Sequence, residues 1–319
     1  MTSILITGAN GFIGSHLGET MVSRGFQVRG AVRGSANVPD GVEIVTVGNI
    51  NDTMDWTDAL NGVDVVIHLA ARVHVMKEAS SDPLAEFLKT NLRGTVNLAE
   101  QAVKAGVKRF VYVSSIKVNG EETIAGQTYS ECDAPAPQDP YGISKWQAEQ
   151  SLQRIAKDSG LEVVIVRPPL VYGPGVKGNF IRLLSAIDRG VPLPVAGANN
   201  ERSLLFVGNL ADALINCTLH PAAAGKTFLI SDGLDISTRN LIERIAASLG
   251  RESRSFYFPP VLLRIFATLL GRSAQIDRLF GSLRINNEKI CADLDWKPPF
   301  TLNQGLQETS DWYRGLSRR

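Results

Sequence analysis

Cysteine is scarce: Cys132, Cys217 and Cys291 are the only three in 319 residues. An odd number without Cys-x-x-Cys spacing excludes a disulfide framework and a zinc ribbon, and fits a reducing, cytoplasmic compartment. Neither sign of charge is in excess, with 33 Lys+Arg against 32 Asp+Glu, so the electrostatic footprint of a nucleic-acid binder is missing. No basic leader and apolar stretch precede the strand-like run Ser3-Ile4-Leu5-Ile6-Thr7, and the mature fold is expected to start there. Long hydrophobic runs are also missing. The most apolar later segment, Phe256 to Leu270, is broken by Pro259, Pro260 and Arg264 and falls short of the roughly 20 residues of a transmembrane helix. Its Leu262, Leu263, Phe266, Leu269 and Leu270 recur at helical spacing, which reads as a core-facing helix, with a membrane-surface or partner face as the alternative. His16, His68, His74 and His220 show no metal-ligand spacing, so no metal site is expected.

What is present suits a large globular core, since 44% of residues are hydrophobic and 20% charged. Short β-branched runs, Ile4-Ile6, Gln27-Val32, Val42-Val47, Val63-Leu69, Arg109-Ser114 and Val163-Arg167, alternate with helical patterns. Such alternation implies right-handed βαβ crossovers and a parallel sheet. The run from Val63 to Ala70 has almost no polar alternation, which places it centrally, covered on both faces. After Arg167 the texture changes to Pro- and Gly-rich turns, Pro168-Pro169 and Gly173-Pro174-Gly175. The expected fold class is therefore α/β, a Rossmann-type doubly wound parallel sheet in residues 1–167, followed by a smaller, mixed C-terminal substrate lobe in 168–319 that intermixes with it.

Gly8, Gly11 and Gly14 form Gly-x-x-Gly-x-x-Gly between the first strand and a helical pattern opening with Phe12 and Ile13. Glycine permits close backbone approach, and a helix N-terminus offers N–H groups to a pyrophosphate. A tight turn without ligand is the plainer alternative. The second strand ends Ala31-Val32-Arg33 without the carboxylate that would bind a ribose 2′-hydroxyl, and Arg33 can pair with a 2′-phosphate. NADP(H) is thus favoured and NAD(H) remains possible, while Arg29 reads equally as surface charge. Downstream, Tyr141-Gly142-Ile143-Ser144-Lys145 opens another helical segment, and i, i+4 spacing puts Tyr141 and Lys145 on one face. A lysine ammonium beside a phenol is expected to lower its pKa from about 10 and make it a usable acid/base.

With these two motifs the chain resembles the extended short-chain dehydrogenase/reductase family, in its nucleotide-sugar epimerase, dehydratase and reductase branch. The resemblance runs through Gly8-Ala9-Asn10-Gly11-Phe12-Ile13-Gly14, His68-Leu69-Ala70-Ala71, Asn91-Leu92-Arg93-Gly94-Thr95, Ser114 to Gly120, Tyr141 to Lys145 and Arg167 to Gly175. It implies that Tyr141 is the general acid/base, that Lys145 binds the nicotinamide ribose, and that Ser115 bonds the reacting oxygen, with Ser114 a strand-end residue. Cofactor contacts are implied for Asn10, Asn49, Ile50, Leu69, Ala70, Ala71, Asn91 and Pro168, and His68 is expected to be structural. Asn179, Phe180, Arg202 and Arg278 are implied to meet a UDP-sugar substrate, Arg278 being equally readable as a solvated arginine. A homodimer is implied as well.

The departures from the family pattern shape the expected activity. Ile116 fills the slot that carries an acid in sugar 4,6-dehydratases, which disfavours dehydration. Asn119 replaces a tyrosine and Leu170 an asparagine that often faces substrate. The expected activity is NADPH-dependent reduction of the 4-keto group of a UDP-linked 6-deoxy hexose, because the segment His68 to Met76 resembles that of ketoreductases of bacterial polysaccharide precursor synthesis, with an NAD-dependent UDP-sugar 4-epimerase as the alternative. Two further readings are a reductase of apolar ketones, for which Arg202 would be an unpaired buried charge, and a non-catalytic cofactor sensor, which has no need of Ser115, Tyr141 and Lys145 together.

Overall fold

A computed structural model describes residues 2–34, 36–73, 82–124, 126–259 and 279–317. The expected helix beyond Pro259, Arg278 and the segment His74-Val75-Met76 lie outside these. The chain opens with β1 (Ser3–Thr7), α1 (Phe12–Ser23), β2 (Gln27–Val32), β3 (Glu43–Thr46), α2 (Thr57–Leu60) and β4 (Val65–His68). It continues through α3 (Pro83–Phe87), a π-helical stretch at Leu88–Arg93, α4 (Gly94–Lys104), β5 (Arg109–Val113), α5 (Pro140–Ser159) and β6 (Glu162–Arg167). A seven-stranded parallel sheet runs in the order β3-β2-β1-β4-β5-β6-β9, where β9 is Thr227–Leu229. The order reverses between β1 and β4, and such switch points leave a crevice at the carboxyl ends of the strands.

Continuous apolar strands are what a sheet covered on both faces requires, and every residue of β4 is buried. Ile4, Ile6, Val65, Ile67 and Val164 pack on one face with Leu17 and Met21 of α1. Leu5, Val66, Phe110, Tyr112 and Ile165 pack on the other with Leu98 of α4 and Leu152 of α5. Each such side chain stabilises the sheet by roughly 1.5–3 kcal/mol.

The later residues build a second, three-stranded sheet in the order β10-β8-β7 from β7 (Leu170–Tyr172), β8 (Arg202–Phe206) and β10 (Asp235–Ile236). Around it pack α6 (Asn179–Asp188), α8 (Thr238–Ser248) and α10 (Leu302–Ser317), with Tyr172, Phe180, Leu184 and Phe206 in their core. The lobe intermixes with the first sheet: β9 completes that sheet and α7 (Val207–Leu219) packs on α1. A short α9 (Glu288–Leu294) lies beside β9. No described helix is long and apolar enough to cross a membrane.

His68, at the end of β4, is buried and bonded on both ring nitrogens, to Thr7 Oγ1 at 2.7 Å and Thr95 Oγ1 at 2.9 Å. Burial, helped by the Lys145 charge, pushes its pKa down to about 3. The unfolded chain binds this proton near pH 6.5 and the native state does not, so His68 costs native stability as pH falls below about 6.5. His68→Asn should flatten the fall in unfolding free energy between pH 6 and 4 by up to about 1.4 kcal/mol per pH unit. Denaturant titrations at each pH measure this, and parallel profiles for the two proteins would contradict it.

Candidate active site

The turn between β1 and α1 is shaped by two missing side chains. Gly8 has φ +70°, where an L side chain is strained, and a Cβ there would lie 3.1 Å from the Ala70 nitrogen. At Gly14 a Cβ would sit 2.2 Å from the Gly8 carbonyl oxygen, so α1 can close onto its own entry loop only with glycine in that place. No side chain caps α1, whose first residue follows Gly11.

A cavity of about 860 Å³ opens at this turn, against the switch point. Gly8, Asn10 and Gly11 line it together with Arg33, Asn49, Ile50, Leu69, Ala70 and Ala71, which brings together most of the expected cofactor contacts. These residues fit a dinucleotide: the glycine cradle admits close backbone approach and the start of α1 is open to an anion. Phe12 packs against the core of the second lobe, and Ile13 packs against the cores of both lobes. Arg29 is held elsewhere, donating to the carbonyls of Ala59 at 3.1 Å and Asn61 at 2.9 Å. The cavity also includes Asn51, Arg72, Glu86, Lys89 and Thr90, which sequence reasoning missed. Arg72 directly follows the Leu69-Ala70-Ala71 segment, which was a usable signal.

Asn91 sits in the π-helical stretch and is buried. Its side chain donates to the Arg72 carbonyl and to Ser144 Oγ, both at 3.0 Å, and accepts from the Arg72 N–H at 2.8 Å. Ser144 in turn donates to the Tyr141 carbonyl at 2.7 Å. The Asn91 amide is thus committed to protein partners and ties the loop after β4 to the start of α5. Pro168 is buried, and its carbonyl accepts the Ile116 N–H at 3.0 Å, supporting the turn that carries Ser115.

Asp139 caps α5, accepting the Gly142 N–H at 2.7 Å, with Pro140 as the first helical residue. Tyr141 therefore lies in the first turn and Lys145 one turn on. Ser115, whose Oγ accepts the Lys117 N–H at 3.3 Å, lies near the Tyr141 phenol and favours its ionised form, whereas the Ser114 Oγ is buried without a hydrogen-bond partner. Lys145 is buried, donates from Nζ to the Val113 carbonyl at 2.8 Å, and lies 4.5 Å from the Tyr112 ring centroid and 5.9 Å from that of Tyr141.

The expectation of a lowered phenol pKa is not met in this state. Burial, with the Asp139 carboxylate adding to it, pushes Tyr141 up to about 12 against the opposing influence of the Ser115 hydroxyl, and burial pulls Lys145 down to about 7 despite Glu149. Desolvation outweighs the attraction between the two because the ammonium is spent on a carbonyl.

In the second lobe, Asn179 is exposed at the start of α6, but the Phe180 side chain is buried and stacks on Tyr172 with centroids 5.5 Å apart. The amphipathic α6 turns the Phe180, Leu184 and Ile187 side chains inward, so the substrate contact expected of Phe180 would have to come from its backbone. Arg202 donates from Nη1 to the Gly281 carbonyl at 2.9 Å. Asn119 is buried between the Ser130 carbonyl and the Arg167 guanidinium, at 3.0 and 2.9 Å. Among the described residues no three potential ligands cluster as a metal site.

A glycine-turn crevice beside a Ser-Tyr-Lys cluster defines a dinucleotide-dependent oxidoreductase. Residues 4–231 match the NAD dependent epimerase/dehydratase family, and the chain belongs to it. It is 42% identical to a UDP-glucose 4-epimerase of Vibrio cholerae, over 99% of this chain and 97% of the relative. It is 26% identical to an N-acetyl-alpha-D-glucosaminyl-diphospho-ditrans,octacis-undecaprenol 4-epimerase of Escherichia coli O157:H7, over 96% and 94% of the two chains. Among solved structures, MoeE5 in complex with UDP-glucuronic acid and NAD superposes with TM-score 0.79 at 28% identity, over 98% of this chain and 99% of that one.

Proposed function

We propose that the protein is a nucleotide-sugar 4-epimerase that uses NAD and a UDP-linked hexose. The observation that carries this reading is a single proton-transfer group, Tyr141, beside Ser115, with apolar Ile116 in the position after the serine. Reversible oxidation at one carbon needs one group that takes a proton and returns it, whereas eliminating water needs a further acid. The end-to-end likeness to 4-epimerases favours epimerisation over the 4-keto reduction expected first.

When bound, NAD supplies a hydride acceptor that returns the hydride to the same carbon. Tyr141 takes the proton of the sugar 4-hydroxyl and later gives it back. Ser115 holds the oxygen that passes between alcohol and ketone. Lys145, behind the phenol, supplies positive charge that favours its ionised form once the site is filled. Arg202 and Asn179 hold the diphosphate, and the division near residue 167 separates dinucleotide from sugar-nucleotide binding. Arg202→Leu should then weaken UDP by about 1.5–3 kcal/mol, the scale of a charge-assisted hydrogen bond, with cofactor affinity unchanged in calorimetry. Unchanged UDP affinity would remove Arg202 from the substrate site.

The reductase reading retains one specific support: Arg33 at the cavity and no carboxylate beside it among the residues that end β2. The two readings separate on cofactor affinity. The epimerase reading predicts that NADH binds at least as tightly as NADPH. NADPH binding tenfold tighter, with that margin lost in Arg33→Ala, would transfer the assignment to an NADPH-dependent 4-ketoreductase.

A further inference from the structure

We propose that Lys117, through its ion pair with Asp139, is a positioning residue that fixes the Ser115 turn against the first turn of α5 and so sets the Ser115–Tyr141 geometry. This rests on the reading of Tyr141 as the acid/base. Three contacts join the two segments. Ser115 meets the Tyr141 phenol. The Lys117 carbonyl abuts Gly142 so closely that a Cβ there would lie 2.9 Å from it. The Lys117 ammonium pairs with Asp139 Oδ2, while Asp139 Oδ1 accepts the Gly142 N–H at 2.7 Å.

One carboxylate therefore caps the catalytic helix and receives the cation from the catalytic turn. Glu121 Oε1, 2.7 Å from the Lys117 Nζ, pairs with the same ammonium. All three side chains are half-buried, between 22% and 31% exposed, which limits solvent screening of the pair.

The same arrangement bears on proton affinity. The Asp139 carboxylate favours the neutral phenol, and Lys117 partly cancels that carboxylate. Among the described residues, the other charged or titratable groups around Tyr141 are Lys145 one turn along its helix, Glu149 beyond it, and Tyr112 on β5. On the α3 side Phe87 meets the phenol edge-on, Arg72 lies over the Phe87 ring at 5.6 Å from its centroid, and Glu86 is 4.0 Å from Arg72. None of these is altered by substitution at 117 or 139, so the charge effect of the pair can be isolated.

The test titrates the Tyr141 phenolate by ultraviolet difference absorbance with NAD added, each protein referenced to its own Tyr141→Phe version so that the other tyrosines cancel. Lys117→Met should move the midpoint to higher pH by about half a unit or more, because the carboxylate is left uncompensated. Asp139→Asn should move it to lower pH, since the amide keeps a cap acceptor but loses the charge. Lys117→Arg should restore the wild-type midpoint. In turnover, Lys117→Met should lower kcat at least tenfold with KM for the nucleotide sugar within twofold. Midpoints that stay put in both Lys117→Met and Asp139→Asn, or that move in the same direction, would overturn the proposal. If the shifts appear as expected while the wild type converts no nucleotide sugar, the epimerase reading fails and the positioning role stands.

Discussion

Replacing Tyr141 with Phe is expected to lower turnover by roughly 10²–10⁴-fold, the range typical of losing a positioned acid/base. The ring survives the substitution, so its edge contact with Phe87 survives too, as does the Asp139 cap on the backbone of α5. Only the hydroxyl beside Ser115 is removed. The loss should therefore fall on kcat, with UDP and cofactor affinities near wild type. Because the phenol is pushed up to about 12 in the unliganded protein, the proton-abstracting form is the minor one at neutral pH. The oxidation half-reaction of the wild type should accelerate as pH rises from 7 to 9, and that slope should be missing from the Phe variant. A Phe variant with wild-type turnover would remove Tyr141 from the chemistry and with it the catalytic assignment.

The largest expected effect on stability comes from a pair the mechanism does not use directly. Glu149 on α5 and Arg167 at the end of β6 are both buried, with Arg167 Nε 2.9 Å from Glu149 Oε1 and Nη2 2.5 Å from Oε2. Asn119 Oδ1 accepts from Nη1, and the guanidinium lies 5.9 Å from the Trp146 ring centroid. Glu149→Leu leaves that guanidinium buried without its counter-ion, which costs about 3–5 kcal/mol, whereas removing both charges is often neutral. The double variant Glu149→Leu/Arg167→Met should recover most of the loss in denaturant titrations. Additive losses in the double variant would show that the two residues act independently, contrary to the geometry. Glu149 also favours the charged form of Lys145, so the single variant should lose turnover in addition to stability.

These two cases differ in how far sequence could reach them. The strands of the first sheet were readable because a sheet covered on both faces needs unbroken apolar runs, and β2 at Gln27–Val32 matches its expected span. The glycine turn and Tyr141-x-x-x-Lys145 were readable because their spacings are local. The Glu149–Arg167–Asn119 cluster was not, since it joins residues 18 and 48 positions apart whose side chains meet only after α5 packs on the sheet. Asn119 marked a departure from the family pattern, and its structural use is the bond to Arg167. The direction of the Tyr141 shift was misread for a related reason. Spacing places Lys145 beside the phenol, but only the fold reveals burial, the Val113 carbonyl that takes up the ammonium, and the Asp139 charge. The inward-facing Phe180 was likewise decided by the packing of α6 on Tyr172.

Cofactor choice shows the limit of a local signal. The end of β2 carries no carboxylate and Arg33 lines the cavity, which points to a 2′-phosphate, whereas the chain belongs to the NAD dependent epimerase/dehydratase family. A single arginine at a cavity edge gains little from screened charge unless a phosphate is held against it.

The claim that one carbon is oxidised and re-reduced in place is tested most directly by isotopic labelling. UDP-glucose bearing deuterium at C4 is incubated with the purified protein and NAD, and the products are resolved by nuclear magnetic resonance. A hydride passed to the nicotinamide and back does not exchange with water, so the account predicts the 4-epimer with deuterium retained at C4. A 4-epimer that has lost its label to solvent, or no epimer at any cofactor concentration, would contradict it.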